Sequence, residues 1–273
     1  MRRLLTLACE GVELGATLDA ADGGTGLLLV TGGSQTRIGS HRMYERLAKS
    51  LAEGGIACLR FDRRGVGDSG GEDPGFRGSG PDIAAAAAAM RRECPALKRV
   101  CGFGLCDGAT AIALFGDAAG LDGLILVNPW LVETEAGEPP PAAIRAHYRQ
   151  RLTSREGWRK ILTGAVDYRK FLRGVRNIVA RRSATLAAET AAALARHRLP
   201  AQLILAAGDA TAIAAEAEIR SRAFSGLIGE AQKIGSDSHT FARPGDEAAL
   251  LAAVLEALKR LEEDRAGSRT ALP

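Results

Sequence analysis

The sequence predicts an α/β fold, a doubly wound and mostly parallel sheet with an inserted helical cap. Three observations carry this reading. Short, largely apolar runs recur at residues 26–31, 56–61, 99–103, 121–127 and 201–207. Such runs suit strands buried on both faces, as parallel strands are. Stretches of helix-forming composition alternate with them, which implies repeated strand–helix units. Between residues 131 and 198 the strand-like runs vanish and helical spacing dominates. The 273 residues are 46% hydrophobic and 25% charged, enough for one domain with a sizeable core.

Taken in order, residues 4–8 and 12–18 alternate weakly about Glu10-Gly11 and predict an antiparallel hairpin at a sheet edge. Strand 26–31 is followed by a glycine-rich loop from Gly32 to Arg42, then by a helix over about 43–53 that Gly54-Gly55 stop. Strand 56–61 runs into Asp62-Arg63-Arg64-Gly65-Val66-Gly67-Asp68-Ser69-Gly70. Gly65, Gly67 and Gly70 formally spell a dinucleotide fingerprint. That fingerprint needs a helix to open at once, whereas a Gly/Pro/acidic loop occupies residues 71–80, so no nucleotide cofactor is expected. Residues 82–92 form an alanine-rich helix with Asp82 early and Arg91-Arg92 late, both favourable to its dipole. Strand 99–103, a turn at 104–108, helix 109–115 and strand 121–127 follow, the last ending at Asn128-Pro129-Trp130. Strands 201–207 and 232–234 and a closing amphipathic helix over 246–262 complete the core. The expected division is a core of residues 1–130 and 199–264, a cap of 131–198 and a frayed tail of 265–273.

The net charge of +4 is local. Arginines crowd the cap, with Tyr148, Trp158, Tyr168 and Phe171 interleaved. No nucleic-acid motif accompanies them, so nucleic acid is not an expected partner and a small acyl substrate, including an anionic one, is. Cys9, Cys58, Cys94, Cys101 and Cys106 form no CxxC pair, which predicts neither a disulfide framework nor a metal site. The apolar start at residues 4–9 is cut off by Glu10, too short for a signal core. No run approaches the ~18 apolar residues of a membrane span. A cytoplasmic address is expected.

The chemistry centres on Gly104-Leu105-Cys106-Asp107-Gly108. Strand, Gly-x-nucleophile-x-Gly turn and helix together lift the central side chain onto a strained turn at a helix N-terminus, where anions are favoured. Cys106, Asp209 and His239 each follow a predicted strand, so the topology brings them to the carboxyl rim where open α/β sheets bind ligands. Cys106 is the candidate nucleophile, His239 the base and acid, and Asp209 the residue that orients the imidazole. Asp237 and Asp117 are rival acids. The former lies only two residues from His239 and the latter falls late in the helix after the turn. The glycine-rich loop aims amides at a developing oxyanion. Gly33 and Ser34 are the candidates, with the choice between them open. His41 and Trp130 are candidate substrate contacts, His41 having helix capping as its plainer role. A thiolate attacks well and leaves well, so activated esters, thioesters, lactones or acyl transfer suit it better than amides.

Most of the chain resembles an α/β-hydrolase. More narrowly it is similar to the exosortase A system-associated hydrolases, type 1, of bacterial exopolysaccharide gene clusters. The likeness rests on Gly32-Gly33 with Gly39-Ser40-His41-Arg42, on Phe61-Asp62-x-Arg64-Gly65-x-Gly67-Asp68-Ser69, on Gly104-x-Cys106-Asp107-Gly108 and on His239-Thr240-Phe241. The resemblance implies the chain order nucleophile, acid, histidine, and the N–H of Asp107 as the second oxyanion donor. It also implies a hydrolase-like protein linked to exopolysaccharide export. Thr31-Gly32 stands where the superfamily usually has His-Gly, and Cys106 where it usually has Ser. An acyltransferase using the same cysteine and a non-catalytic binding protein of the export system are the competing readings.

Overall fold

A computed structural model describes residues 1–133 and 186–270, with side chains through residue 264. Eight strands form one sheet: β1 (Arg2–Cys9), β2 (Val12–Asp19), β3 (Thr25–Val30), β4 (Ala57–Phe61), β5 (Arg99–Leu105), β6 (Gly123–Val127), β7 (Ala201–Ala206) and β8 (Gln232–Ile234). The spatial order is β1-β2-β4-β3-β5-β6-β7-β8. The hairpin β1–β2 and the pair β2–β4 are antiparallel, and all other pairs are parallel. The described helices are α1 (Met43–Glu53), α2 (Gly80–Glu93), α3 (Asp107–Phe115), α4 (Leu186–His197), α5 (Ala210–Ile219) and α6 (Asp246–Thr270).

The apolar strands are buried on both faces because helices cover both. On one face Leu28 and Val30 of β3 pack with Ile83 and Met90 of α2, Ile112 of α3, Leu194 of α4 and Ala212 of α5. On the other, Leu27 and Leu29 pack with Tyr44, Leu47 and Leu51 of α1 and with Val254 and Leu258 of α6. Successive strand residues alternate between the two cores, as the two-residue pleat requires. The parallel strands all run the same way, so the loops after β3, β4, β5, β6, β7 and β8 share one rim.

Three segments differ from the sequence reading. Helix α5 was not expected. Its run is rich in alanine and carries little apolar periodicity, but Asp209 caps it by accepting the Ala212 N–H at 2.9 Å. Helix α6 continues to Thr270, through residues expected to be a frayed tail. Helix α4 lies within the stretch expected to be a cap and packs on α3, with Ala187, Ala191 and Leu194 in the core. The rest of the expected cap, residues 134–185, lies outside the described residues. The loop after β4 is organised by the buried carboxylate of Asp62, which accepts the N–H groups of Arg37 (2.5 Å) and Asp68 (3.1 Å) and pairs with the Arg37 guanidinium. Its glycines serve that turn, and no helix opens on them as a dinucleotide site would need.

Candidate active site

The backbone at Cys106 is strained. Its φ of +59° and ψ of −126° lie outside the regions that L-residues favour. The strain is held from both sides. Cys106 N–H donates to Val127 O on β6 (3.0 Å), and Cys106 O accepts from Ala109 and Trp130 N–H (3.1 Å each). The turn closes because its flanks are glycine: a Cβ on Gly104 would lie 2.4 Å from Gly108 O, and one on Gly108 would lie 2.6 Å from Val30 O. The half-buried side chain of Cys106 therefore stands at the N-terminus of α3 on the carboxyl rim.

His239 arrives on the loop after β8. Its Nδ1–H donates to Asp209 Oδ2 at 2.9 Å, which leaves Nε2 as the ring nitrogen available to Cys106. Asp209 Oδ2 also caps α5, so the helix start fixes the carboxylate that orients the imidazole. Burial alone would lower the His239 pKa. The hydrogen bonds to Asp209 and Cys106, with the negative charge of both, outweigh it and lift the value from the ordinary 6.5 to about 10. The rival acids are engaged elsewhere: Asp237 pairs with Arg243 (2.8 Å) and Asp117 with His197 (3.0 Å).

The His239 loop is pinned by residues far away in sequence. Asn128, fully buried with a φ of +41°, donates from Nδ2 to His239 O (3.0 Å) and accepts the Ala206 N–H on Oδ1 (2.8 Å). It locks the end of β7, and with it Asp209, to the backbone of His239. His41 is not free to face a substrate from its Nε2 atom, which donates to Thr240 O (2.9 Å) with Thr240 Oγ1 at 3.2 Å. Trp130 meets the turn through its backbone, its N–H on Cys106 O and its carbonyl accepting from Thr110 Oγ1 (2.6 Å). Asn128 was not singled out in the sequence; its one signal there is an asparagine directly after a buried strand.

The glycine-rich loop after β3 packs on the turn. Gly33 supplies the positive φ, +57°, at the first central position of a turn closed by Gln35 N–H on Gly32 O (3.4 Å). Its N–H donates to Asp107 Oδ1 at 2.6 Å, and its carbonyl accepts from Arg63 Nη2. Gly33, Ser34 and Asp107 are thus brought together beside Cys106. Among the described residues no cluster of three or more His, Cys, Asp or Glu side chains could hold a metal. No helix of the described residues is long and apolar enough to cross a membrane.

Residues 27–260 match a family model, the alpha/beta hydrolase family. The chain belongs to the alpha/beta hydrolase family. Solved members of this fold superpose over nearly the whole chain. The esterase Pf2001 of Pyrococcus furiosus aligns with a TM-score of 0.63 at 15% identity, covering 95% of this chain and 91% of that one. The alpha/beta hydrolase GrgF of Penicillium sp. sh18 gives 0.63 at 18% identity, with 95% and 98% covered. The dienelactone hydrolase of Anabaena variabilis gives 0.62 at 15%, with 95% and 97% covered. At these identities the likeness is one of fold. No curated protein matches the chain in sequence.

Proposed function

We propose that this alpha/beta hydrolase is a cysteine-nucleophile acyl hydrolase for esters, thioesters or lactones, working through Cys106, His239 and Asp209 and a covalent acyl-enzyme. The observation that carries the reading is the chain of contacts from Asp209 Oδ2 through the His239 ring to Cys106 on its strained turn. In this reading Cys106 gives its proton to His239, whose pKa is raised to about 10, and attacks as the thiolate. The sulfur adds to the substrate carbonyl carbon, whose π electrons move to oxygen. When the tetrahedral intermediate collapses, the bond to the leaving group breaks and His239 protonates the departing alkoxide or thiolate. The thioester sulfur now carries no charge, so the part of the pKa rise that came from Cys106 disappears. A neutral His239 can then take a proton from water as its oxygen attacks the thioester. Collapse of that second intermediate releases the acid and restores the thiolate–imidazolium pair.

Pf2001 and the Anabaena protein are named an esterase and a dienelactone hydrolase, and carboxylic ester chemistry is the class we carry over to this chain. The Gly104-x-Cys106-Asp107-Gly108, Phe61-Asp62-x-Arg64-Gly65 and His239-Thr240-Phe241 motifs support a place among the exosortase A system-associated hydrolases of exopolysaccharide clusters, acting in the cytoplasm. We also keep the remainder of residues 131–198, outside α4, as a cap that contributes substrate selection.

The test is intact mass after incubation with acyl thioesters and activated esters, beside Cys106→Ala. A mass gain in the parent alone that decays with time supports hydrolysis. A gain that persists until an alcohol or amine is added moves the protein to acyl transfer. No gain with any donor, and slow iodoacetamide labelling at neutral pH, overturns the catalytic reading.

A further inference from the structure

Among the described residues Arg63 is a buried arginine with no carboxylate paired to it. The residue is 2% exposed. Among the described residues its neighbours' charges are all matched: Asp62 by Arg37, and Asp82 by Arg64. Arg63 pairs with no carboxylate there, and its Nε and Nη1 have no hydrogen-bond partner. Among the described residues the guanidinium's one hydrogen bond runs from Nη2 to the carbonyl of Gly33. A buried guanidinium left without a counter-charge is unfavourable, and a single tie to one carbonyl would need only a neutral donor. The charge lies under the loop that packs on the Cys106 turn, where a Cβ on Gly32 would come within 2.9 Å of Cys106 Cβ.

The peptide geometry says what the contact does. A trans peptide is planar, with its C=O and N–H pointing in opposite directions, and no peptide bond of the described residues is cis. The Gly33 carbonyl points inward, to the buried Arg63. The N–H of Ser34, in the same peptide, therefore points outward to the rim, where Ser34 is exposed and its N–H has no partner among the described residues. The N–H of Gly33 is already taken by Asp107 Oδ1.

We propose that Arg63 is a positioning residue for the oxyanion site: by holding the Gly33 carbonyl it aims the Ser34 N–H, which with the Asp107 N–H receives the oxyanion. The Arg63 charge, uncompensated in the resting state, then faces the negative charge that develops on the carbonyl oxygen. This rests on the acyl-hydrolase reading and adds to it the choice of Ser34 over Gly33 and a residue outside the triad.

The experiment separates two reactions of the same sulfur in the full chain. Alkylation by iodoacetamide needs the thiolate but forms no oxyanion. Acylation by p-nitrophenyl acetate needs both. In Arg63→Gln, acylation falls about 10²-fold while alkylation stays within about twofold of the parent, and Arg63→Lys, which keeps the charge, recovers part of the loss. Ser34→Pro removes the N–H outright at an exposed position where it bonds nothing, so it reports even if the Arg63 variants fail to fold, and it shows the same split. Equal acylation in parent and variants, or alkylation and acylation falling together, overturns the proposal while leaving the hydrolase reading intact. No acylation of the parent by p-nitrophenyl acetate or any other donor of the panel, with slow iodoacetamide labelling, overturns the hydrolase reading, and this inference with it.

Discussion

Replacing Gly104 by alanine forces β5 and α3 apart at the nucleophile. The added Cβ would lie 2.4 Å from Gly108 O and 2.5 Å from both Ala109 N and Gly108 C, where ordinary contact starts at 3.4 Å. All three atoms are backbone, so no rotamer change relieves the overlap and the first turn of α3 must retreat by roughly 1 Å. Overpacking of this kind costs about 1–3 kcal/mol, and the absence of a yielding side chain puts the change at the upper end. At about 2–4 °C per kcal/mol for a domain of this class, the melting temperature falls by roughly 4–10 °C. Cys106 lies between the two elements, and a shift of about 1 Å at a reacting group costs on the order of 10²-fold in rate. Gly235→Ala is the control: nothing lies within 4 Å of its Cβ, and its φ is not positive. That variant stays within about 0.5 kcal/mol of the parent. Thermal unfolding by circular dichroism, and turnover of whichever ester labels Cys106, read both effects. A Gly104→Ala protein that melts and turns over like the parent would refute the claim that this close approach sets the nucleophile.

Three further outcomes follow from the same geometry. The alkaline limb of kcat/KM reports loss of the His239 proton, so activity is held to above pH 8 and falls as pH rises through about 10; Asp209→Asn removes an orienting bond and a charge, moves the limb to lower pH and cuts kcat by about 10³–10⁴-fold. The same proton couples to stability: it is bound more tightly in the folded chain, near 10, than at the ordinary 6.5, so its contribution is whole below pH 6.5 and is lost as pH rises through 10. Urea midpoints of parent and His239→Ala should therefore converge between pH 6 and pH 10.5. Asn128→Ala leaves the Ala206 N–H and the His239 carbonyl without their partner, which costs about 2–4 kcal/mol and loosens the imidazole; an unchanged denaturation midpoint would count against the clamp.

Much of the fold was legible because it is written in runs. A parallel strand buried on both faces has no polar alternation to obscure it, and β3 to β7 appear in the sequence as largely apolar stretches with glycine or a polar residue at the carboxyl end. Cys106 and Asp209 follow the ends of two such stretches and His239 the short β8, which is why the sequence could place all three on one rim. Helix α5 was not legible, because its burial rests on alanines rather than on large side chains, and its strongest signal, the Asp209 cap, was read only as a catalytic acid. Distance in sequence hid the rest. Gly33 and Asp107 are 74 residues apart, and their contact exists only because β3 and β5 are neighbours. Arg63 and Arg64 are indistinguishable as adjacent letters, yet Arg64 turns to Asp82 and Glu10 while Arg63 turns under the loop.

The replacement of serine by cysteine then fits the electrostatics around it. A serine nucleophile needs a neutral imidazole waiting as a base, because an alkoxide is too basic to exist beside an imidazolium. A histidine with a pKa near 10 holds its proton and suits the opposite arrangement, a nucleophile already ionised. Part of that rise comes from the sulfur itself, so the residue at position 106 and the state of His239 are one property of the site. Asp107 Oδ1 on the Gly33 amide places a carboxylate beside the Cys106 turn, which by itself opposes a negative charge on the substrate oxygen. A positive charge beneath the loop with no carboxylate of its own offsets that opposition at the moment the oxyanion forms, and Arg63 is the residue positioned to supply it.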